Sequence, residues 1–241
     1  MTSMEIFRRI SIFITFVLFC IGIALICAAF GTQQWFVAIP VRDESFSDVT
    51  PVVPTPLTNQ GVHSKVQGGM FFGSRQLNYG LGTRYERFSV YDEINRGVSF
   101  MSLGVWLAVI LTAAIAVLWS VTGVIFSLAN TVVKPAETIT GPMGLFIWSG
   151  AALCFSGISL MFFVVQYLTA MQQSVLLPSQ EHEGFTTQNR IQLGYSFWMM
   201  VGACIDFAVI FTLLSFASMV IRRHDKKHSK GIPMDGAVLM Y

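Results

Sequence analysis

Ile10–Phe30 reads ISIFITFVLFCIGIALICAAF, and this stretch decides what kind of molecule the chain is. Its 21 residues carry no charge, and roughly 20 are needed to cross a 30 Å hydrocarbon core at 1.5 Å per residue. Arg8 and Arg9 stand immediately before it. A secretory signal peptide cleaved near Ala28 or Ala29 is the rival reading, but the apolar core of a signal peptide runs only about 7 to 15 residues. The stretch reads as a transmembrane helix.

Three more runs of the same kind follow at 103–128, 144–168 and 195–221, each apolar over more than about 18 residues. Composition agrees: of 241 residues 54% are hydrophobic and 12% charged, against about 25% charged in ordinary soluble domains. The expected fold is an all-α membrane protein, one four-helix transmembrane bundle filling the whole chain. A formal net charge of +2 supplies no broad basic field, so nucleic-acid binding is not proposed. The lipid bilayer is the first partner.

Basic residues in short flanking segments set orientation. Arg8 and Arg9 precede the first span, Lys134 lies in the 129–142 link, and Arg222, Arg223, Lys226, Lys227 and Lys230 open the 222–241 tail. Both termini are therefore expected in the cytoplasm, with the protein multi-pass in the plasma membrane. Trp35, Tyr167, Tyr195 and Trp198 fall at outer span ends, where an interfacial aromatic belt is expected. The outer loops, 31–97 and 169–193, are unequal, and most recognisable surface is in the first. There, 35–41 and 85–91 have strand composition, while Pro51, Pro54 and Pro56 prevent 49–57 from pairing. A small antiparallel sheet is expected. In the second loop, 171–177 extends the third helix until Pro178 stops it.

Cys20, Cys27, Cys154 and Cys204 all lie inside apolar runs and read as small buried apolar residues. No loop cysteine remains for an extracellular disulfide, which excludes connexin-like channels and tetraspanins. His63, His182, His224 and His228 are dispersed, with no metal-ligand spacing. No nucleophile elbow, P-loop or HExxH stretch appears. No catalytic, cofactor-binding or metal-ligating residue is assigned, and the chain is not read as an enzyme.

Asp206 falls near the middle of the fourth span, where insertion of an Asp costs roughly 2.5–3.5 kcal/mol. No Lys, Arg or His lies within a span to pair with it, leaving hydroxyls such as Thr112 or Ser156, or water. Either it fixes helix packing beside Gly202 in a small-xxx-small arrangement, or it meets a partner's transmembrane helix or lines an ion path. The basic segment 222–230 anchors the fourth span or gathers anionic lipid. Leu239, Met240 and Tyr241 end the chain with hydrophobic residues at the last and third-last positions, the pattern by which a peptide adds a strand to a PDZ groove. Gly231, Pro233 and Gly236 provide a flexible spacer before them.

The segment entering the third span carries Asn130, Lys134, Pro135, Glu137, Thr138, Gly141, Pro142, Gly144 and Leu145, which resembles the KPxETxxGPxGL pattern of clarins. The resemblance extends to Gly31, Thr32 and Trp35, to Gly80, Leu81, Gly82, Arg84, Arg87, Phe88 and Ser89, to Ser196, Phe197 and Trp198, and to the Leu239–Tyr241 end. Each motif also has a plain physical reading. Lys134–Pro135 ends a helix and Gly141–Pro142 makes a tight entry into the next. Gly80 and Gly82 suit a turn, and Arg84 and Arg87 are either solvated or paired to Asp92 and Glu93. The alternative for both places is a partner surface. Clarins are four-span relatives of the claudin superfamily, so the resemblance implies a left-handed bundle topped by a loop-borne sheet. Tyr79 stands where that superfamily has a loop cysteine, so packing alone must hold the first loop. The implied function is a non-enzymatic organiser of a plasma-membrane complex, linked to actin or an ion channel in sensory cells, acting on a membrane-protein partner or a second copy. The alternatives are a transport component using Asp206 and claudin-like adhesion.

Overall fold

The computed structural model describes residues 3–42, 64–78, 83–97, 101–132, 142–182 and 185–230. Its helices are α1 (Ser3–Gly31), α2 (Val90–Asn95), α3 (Leu103–Val132), α4 (Pro142–Gln166), α5 (Pro178–His182) and α6 (Tyr195–Lys230). Four of them contain a segment long and apolar enough to cross a membrane: Arg9–Gly31, Leu103–Thr131, Gly144–Met171 and Tyr195–Val220. The molecule is a membrane tetraspan. Its long helices form a ring in which α1 packs on α3 and α6, and α4 closes the ring between those two.

Phe19, Phe163 and Phe207 fill the bundle's interior, but many other bulky apolar side chains point outward, and Leu111, Leu118, Ile125, Met161, Phe162, Ile205 and Phe216 are all exposed. Lipid tails are as apolar as leucine, so nothing drives these side chains inward. Close backbone approach and interhelical hydrogen bonds hold the helices together instead. Accordingly Ala113, Ala116, Ala152, Ala203, Ser120 and Ser149 are buried. Ser127 Oγ of α3 donates to the Ile12 carbonyl of α1 at 2.8 Å, and Ser159 Oγ of α4 donates to the Val109 carbonyl of α3 at 2.9 Å. The same logic corrects the reading of the cysteines. Cys20, Cys27 and Cys154 are exposed on the outer surface of the bundle rather than buried in it, because hydrocarbon accommodates a thiol as readily as the interior does.

Above one end of the bundle lies the small antiparallel sheet. Its strands are β1 (Phe36–Ala38), β2 (Val41–Arg42), β3 (Lys65–Gly68), β4 (Phe72–Asn78), β5 (Thr83–Ser89), β6 (Phe185–Thr186) and β7 (Ile191–Leu193). Five of them form one sheet in the order β5-β4-β3-β1-β7, and β2 pairs with β6 separately. Register puts Phe36, Ala38, Val66, Leu77, Phe88 and Ile191 on one buried face, as the period of two along a strand requires.

The expected strands are present but redrawn. The 35–41 run is split into β1 and β2, which join different sheets, because Pro40 between them has no N–H to donate. The 85–91 run starts earlier, at Thr83, and gives way at Val90 to α2, whose first turn carries Asp92 and Glu93 where the helix dipole favours acids. The second loop supplies β7 against β1, an exchange not foreseen. The 171–177 extension is also corrected. Tyr167–Met171 forms a π turn, and Pro178 begins α5 instead of ending a helix, since its fixed φ and missing N–H suit the first helical position. The proline-rich segment 49–57 lies outside the described residues.

Candidate functional site

The end of α1, the start of α6 and the sheet meet in one joint. Thr32 and Ser196 share a hydrogen bond between their hydroxyls at 2.6 Å, and the Ser196 amide donates to the Gln34 carbonyl at 3.1 Å. Trp35 is the wedge at the centre. Its indole Nε1 donates to the Ala29 carbonyl at 2.7 Å, its amide donates to the Gly68 carbonyl at 2.8 Å, and its ring meets Phe163 of α4 edge-on at 4.8 Å. Phe197 also lies against Phe163, 5.8 Å between centroids. Trp35 is fully buried, so it is not the interfacial belt residue expected, while Tyr195 and Trp198 are exposed as belt residues would be. The wedge outcompetes the belt because a buried Trp finds both packing and an acceptor for its N–H.

The other two helices reach the sheet as well. Trp106 Nε1 on α3 donates to the Met70 carbonyl in the β3–β4 turn at 2.8 Å. Tyr167, in the π turn, donates its hydroxyl to the Ile191 carbonyl of β7 at 2.8 Å. Gly194 lets the chain pass from β7 into α6 over the backbone of Gln34, whose carbonyl oxygen a Cβ would overlap.

On the outward face, Gln34 Nε2 donates to Gln67 Oε1 at 3.3 Å and Gln67 Nε2 to Ser74 Oγ at 2.9 Å. Arg87 stands opposite Ser74 on this face, whereas Arg84, opposite Leu77, belongs to the other face at the far end of the edge strand β5. Both arginines are exposed, and among the described residues neither forms an ion pair. Hydrogen bonds from Arg87 and then Ser74 hold the exposed Tyr85 hydroxyl below its ordinary pKa. Glu93 is engaged elsewhere: its Oε2 accepts from Arg75 Nη2 at 2.9 Å, and both side chains are 1% exposed. The Arg75 guanidinium also lies over Phe88, 4.8 Å from the ring centroid. The first loop is thus held by a buried ion pair as well as by packing. Alternation could have revealed it, because Arg75 lies between Gly73 and Leu77 on the apolar face of β4, and Glu93 follows Val90 by one helical turn.

Asp206 lies on α6 facing α1. A Cβ on Gly22 would stand 2.8 Å from its Oδ2 and 2.5 Å from Phe207 Cε1, so the bare glycine makes the room. Gly202, one turn away on α6, faces Leu25 of α1. The expected hydroxyl partners are committed to their own helices: Thr112 donates to the Ala108 carbonyl and Ser156 to the Leu153 carbonyl. Asp206 Oδ2 is buried without a hydrogen-bond partner. Among the described residues no three His, Cys, Asp or Glu side chains gather as metal ligands would.

Pro142 opens α4, and Leu145, one turn in, is fully buried. Gly80, Gly82, Lys134, Pro135, Gly141, Leu239, Met240 and Tyr241 lie outside the described residues. A family model described as Clarin-2-like matches residues 7–214, a range that includes the first three membrane-crossing segments, most of the fourth and every described strand. No curated protein matches the chain significantly.

Proposed function

Because the chain belongs to the clarin family, we propose that it is a non-enzymatic tetraspan that organises or stabilises a plasma-membrane complex in sensory cells, coupled to actin or to an ion channel. The observation that supports this reading most directly is the joint. Thr32, Trp35, Ser196 and Phe197 converge on one packed junction, and all four long helices or their extensions hold the sheet there. Sheet and bundle therefore move together. Such a unit offers neighbours a polar sheet face on one side of the membrane and bulky apolar helix faces within it.

In this reading both termini are cytoplasmic, lateral helix packing recruits membrane partners, and the carboxyl-terminal Leu239–Tyr241 recruits a PDZ scaffold. Proximity labelling of the intact protein in its native cells tests it. The expected outcome is enrichment of a defined set of multi-pass and cytoskeletal adaptor proteins over a control tetraspan of equal abundance. A labelled set indistinguishable from that control defeats the proposal.

A further inference from the structure

The fourth span carries an ionisable group for which the fold provides a place and no charged partner. Asp206 lies 11 residues below Tyr195 at the sheet end of α6, about 17 Å along the axis and so near the middle of a 30 Å core. Its side chain enters the α1–α6 seam at Gly22. Oδ2 is closed off there without a hydrogen bond, while the residue as a whole keeps part of its surface open. The neighbouring outward residues Ile21, Ile205 and Val209 are exposed and apolar. No element packed against α6 brings a compensating charge, because 10–30, 103–128 and 144–168 contain no Lys, Arg or His.

We propose that the α1–α6 seam at Asp206 is the docking groove for a transmembrane helix of a different protein that carries a lysine or arginine at mid-membrane depth. Charge complementarity identifies the occupant. A carboxylate in hydrocarbon is relieved best by a cation that brings its own hydrogen-bond donors. A second copy of this chain has no cation within its spans and would set one Asp206 against another, a like-charge contact. The groove rests on the proposed role as an organiser of membrane complexes and names the chemistry of the partner that role requires.

The test uses the full-length chain in lipid nanodiscs with synthetic polyleucine helices bearing a central Lys, a central Ser or only Leu, their association read by energy transfer. The Lys helix is expected to associate about tenfold more tightly than the all-Leu helix, the scale of one interhelical polar contact in model peptides. Asp206→Asn, nearly isosteric, and Asp206→Leu are both expected to abolish that preference while the helical content stays unchanged. Equal association of the three helices with the native chain overturns the groove, as does a Lys preference that survives in Asp206→Asn. Self-association of the native chain lost in Asp206→Asn also overturns it, assigning the seam to a second copy. If the Lys preference in nanodiscs is absent while the labelled set in native cells persists, the groove falls and the broader organising role stands.

Discussion

Arg75 and Glu93 can both be buried because each cancels the other's charge and the Phe88 ring covers the guanidinium. Removing one partner strands the other in a dry site, which costs about 3–5 kcal/mol, whereas replacing a whole buried pair by apolar residues is often neutral. Glu93→Ala is therefore expected to lower stability by that amount, and Arg75→Leu combined with Glu93→Leu to recover most of the loss, as read by denaturation in detergent. Glycines divide just as sharply. A Cβ at Gly194 collides with the Gln34 backbone, while one at Gly31 meets open space. Gly194→Ala should prevent delivery to the cell surface, and Gly31→Ala should change stability by less than about 0.5 kcal/mol, even though Gly31 belongs to the clarin-like motif. A motif position and a sterically demanded position are different things.

At the scale of elements, the π turn at Tyr167–Met171 has a visible consequence. It ends α4 with the Tyr167 hydroxyl on the carbonyl of Ile191, tying the bundle to the outermost strand of the sheet on that side. Tyr167→Phe removes the donor and leaves that carbonyl unpaired, at a cost of about 1 kcal/mol. Amide hydrogen exchange is expected to quicken in β7 and to stay unchanged in the interior of α3. Uniform quickening across both would show that the turn serves the whole bundle rather than the sheet edge. The sheet also shows where sequence reading failed at this scale. β3 and β4 read KVQG and FGSRQLN, too rich in glycine and polar residues to announce themselves, because only one face is buried and pairing to β1 and β5 does the rest.

For the whole molecule, the proposed orientation makes a direct prediction: an even number of crossings puts both ends on one side, and basic residues flanking the first and last spans favour the cytoplasmic one. Tags at either terminus are thus expected to be reached by antibody only after permeabilisation, and detection on intact cells would reverse the orientation. The tail makes a separate prediction. One Gly appended after Tyr241 shifts the carboxylate while leaving every side chain intact, and capture by a PDZ scaffold should be lost. Unchanged capture would reduce the tail to an anchor.

The sequence by itself determined the number of spans, the membrane class, the presence of a loop-borne sheet and the family, because each is written in local composition or in a short ordered motif. The cost of exposing backbone to lipid makes an uncharged run of more than 20 residues almost unambiguous. Only the tertiary structure decided which residues meet. It took Trp35 from the lipid interface into the joint, gave Glu93 to Arg75 rather than to Arg84 or Arg87, brought a strand from the second loop against the first, and set Asp206 against Gly22. Each of these depends on contacts between residues far apart in the chain, fixed by which faces two helices or strands present to one another, and no local pattern carries that choice.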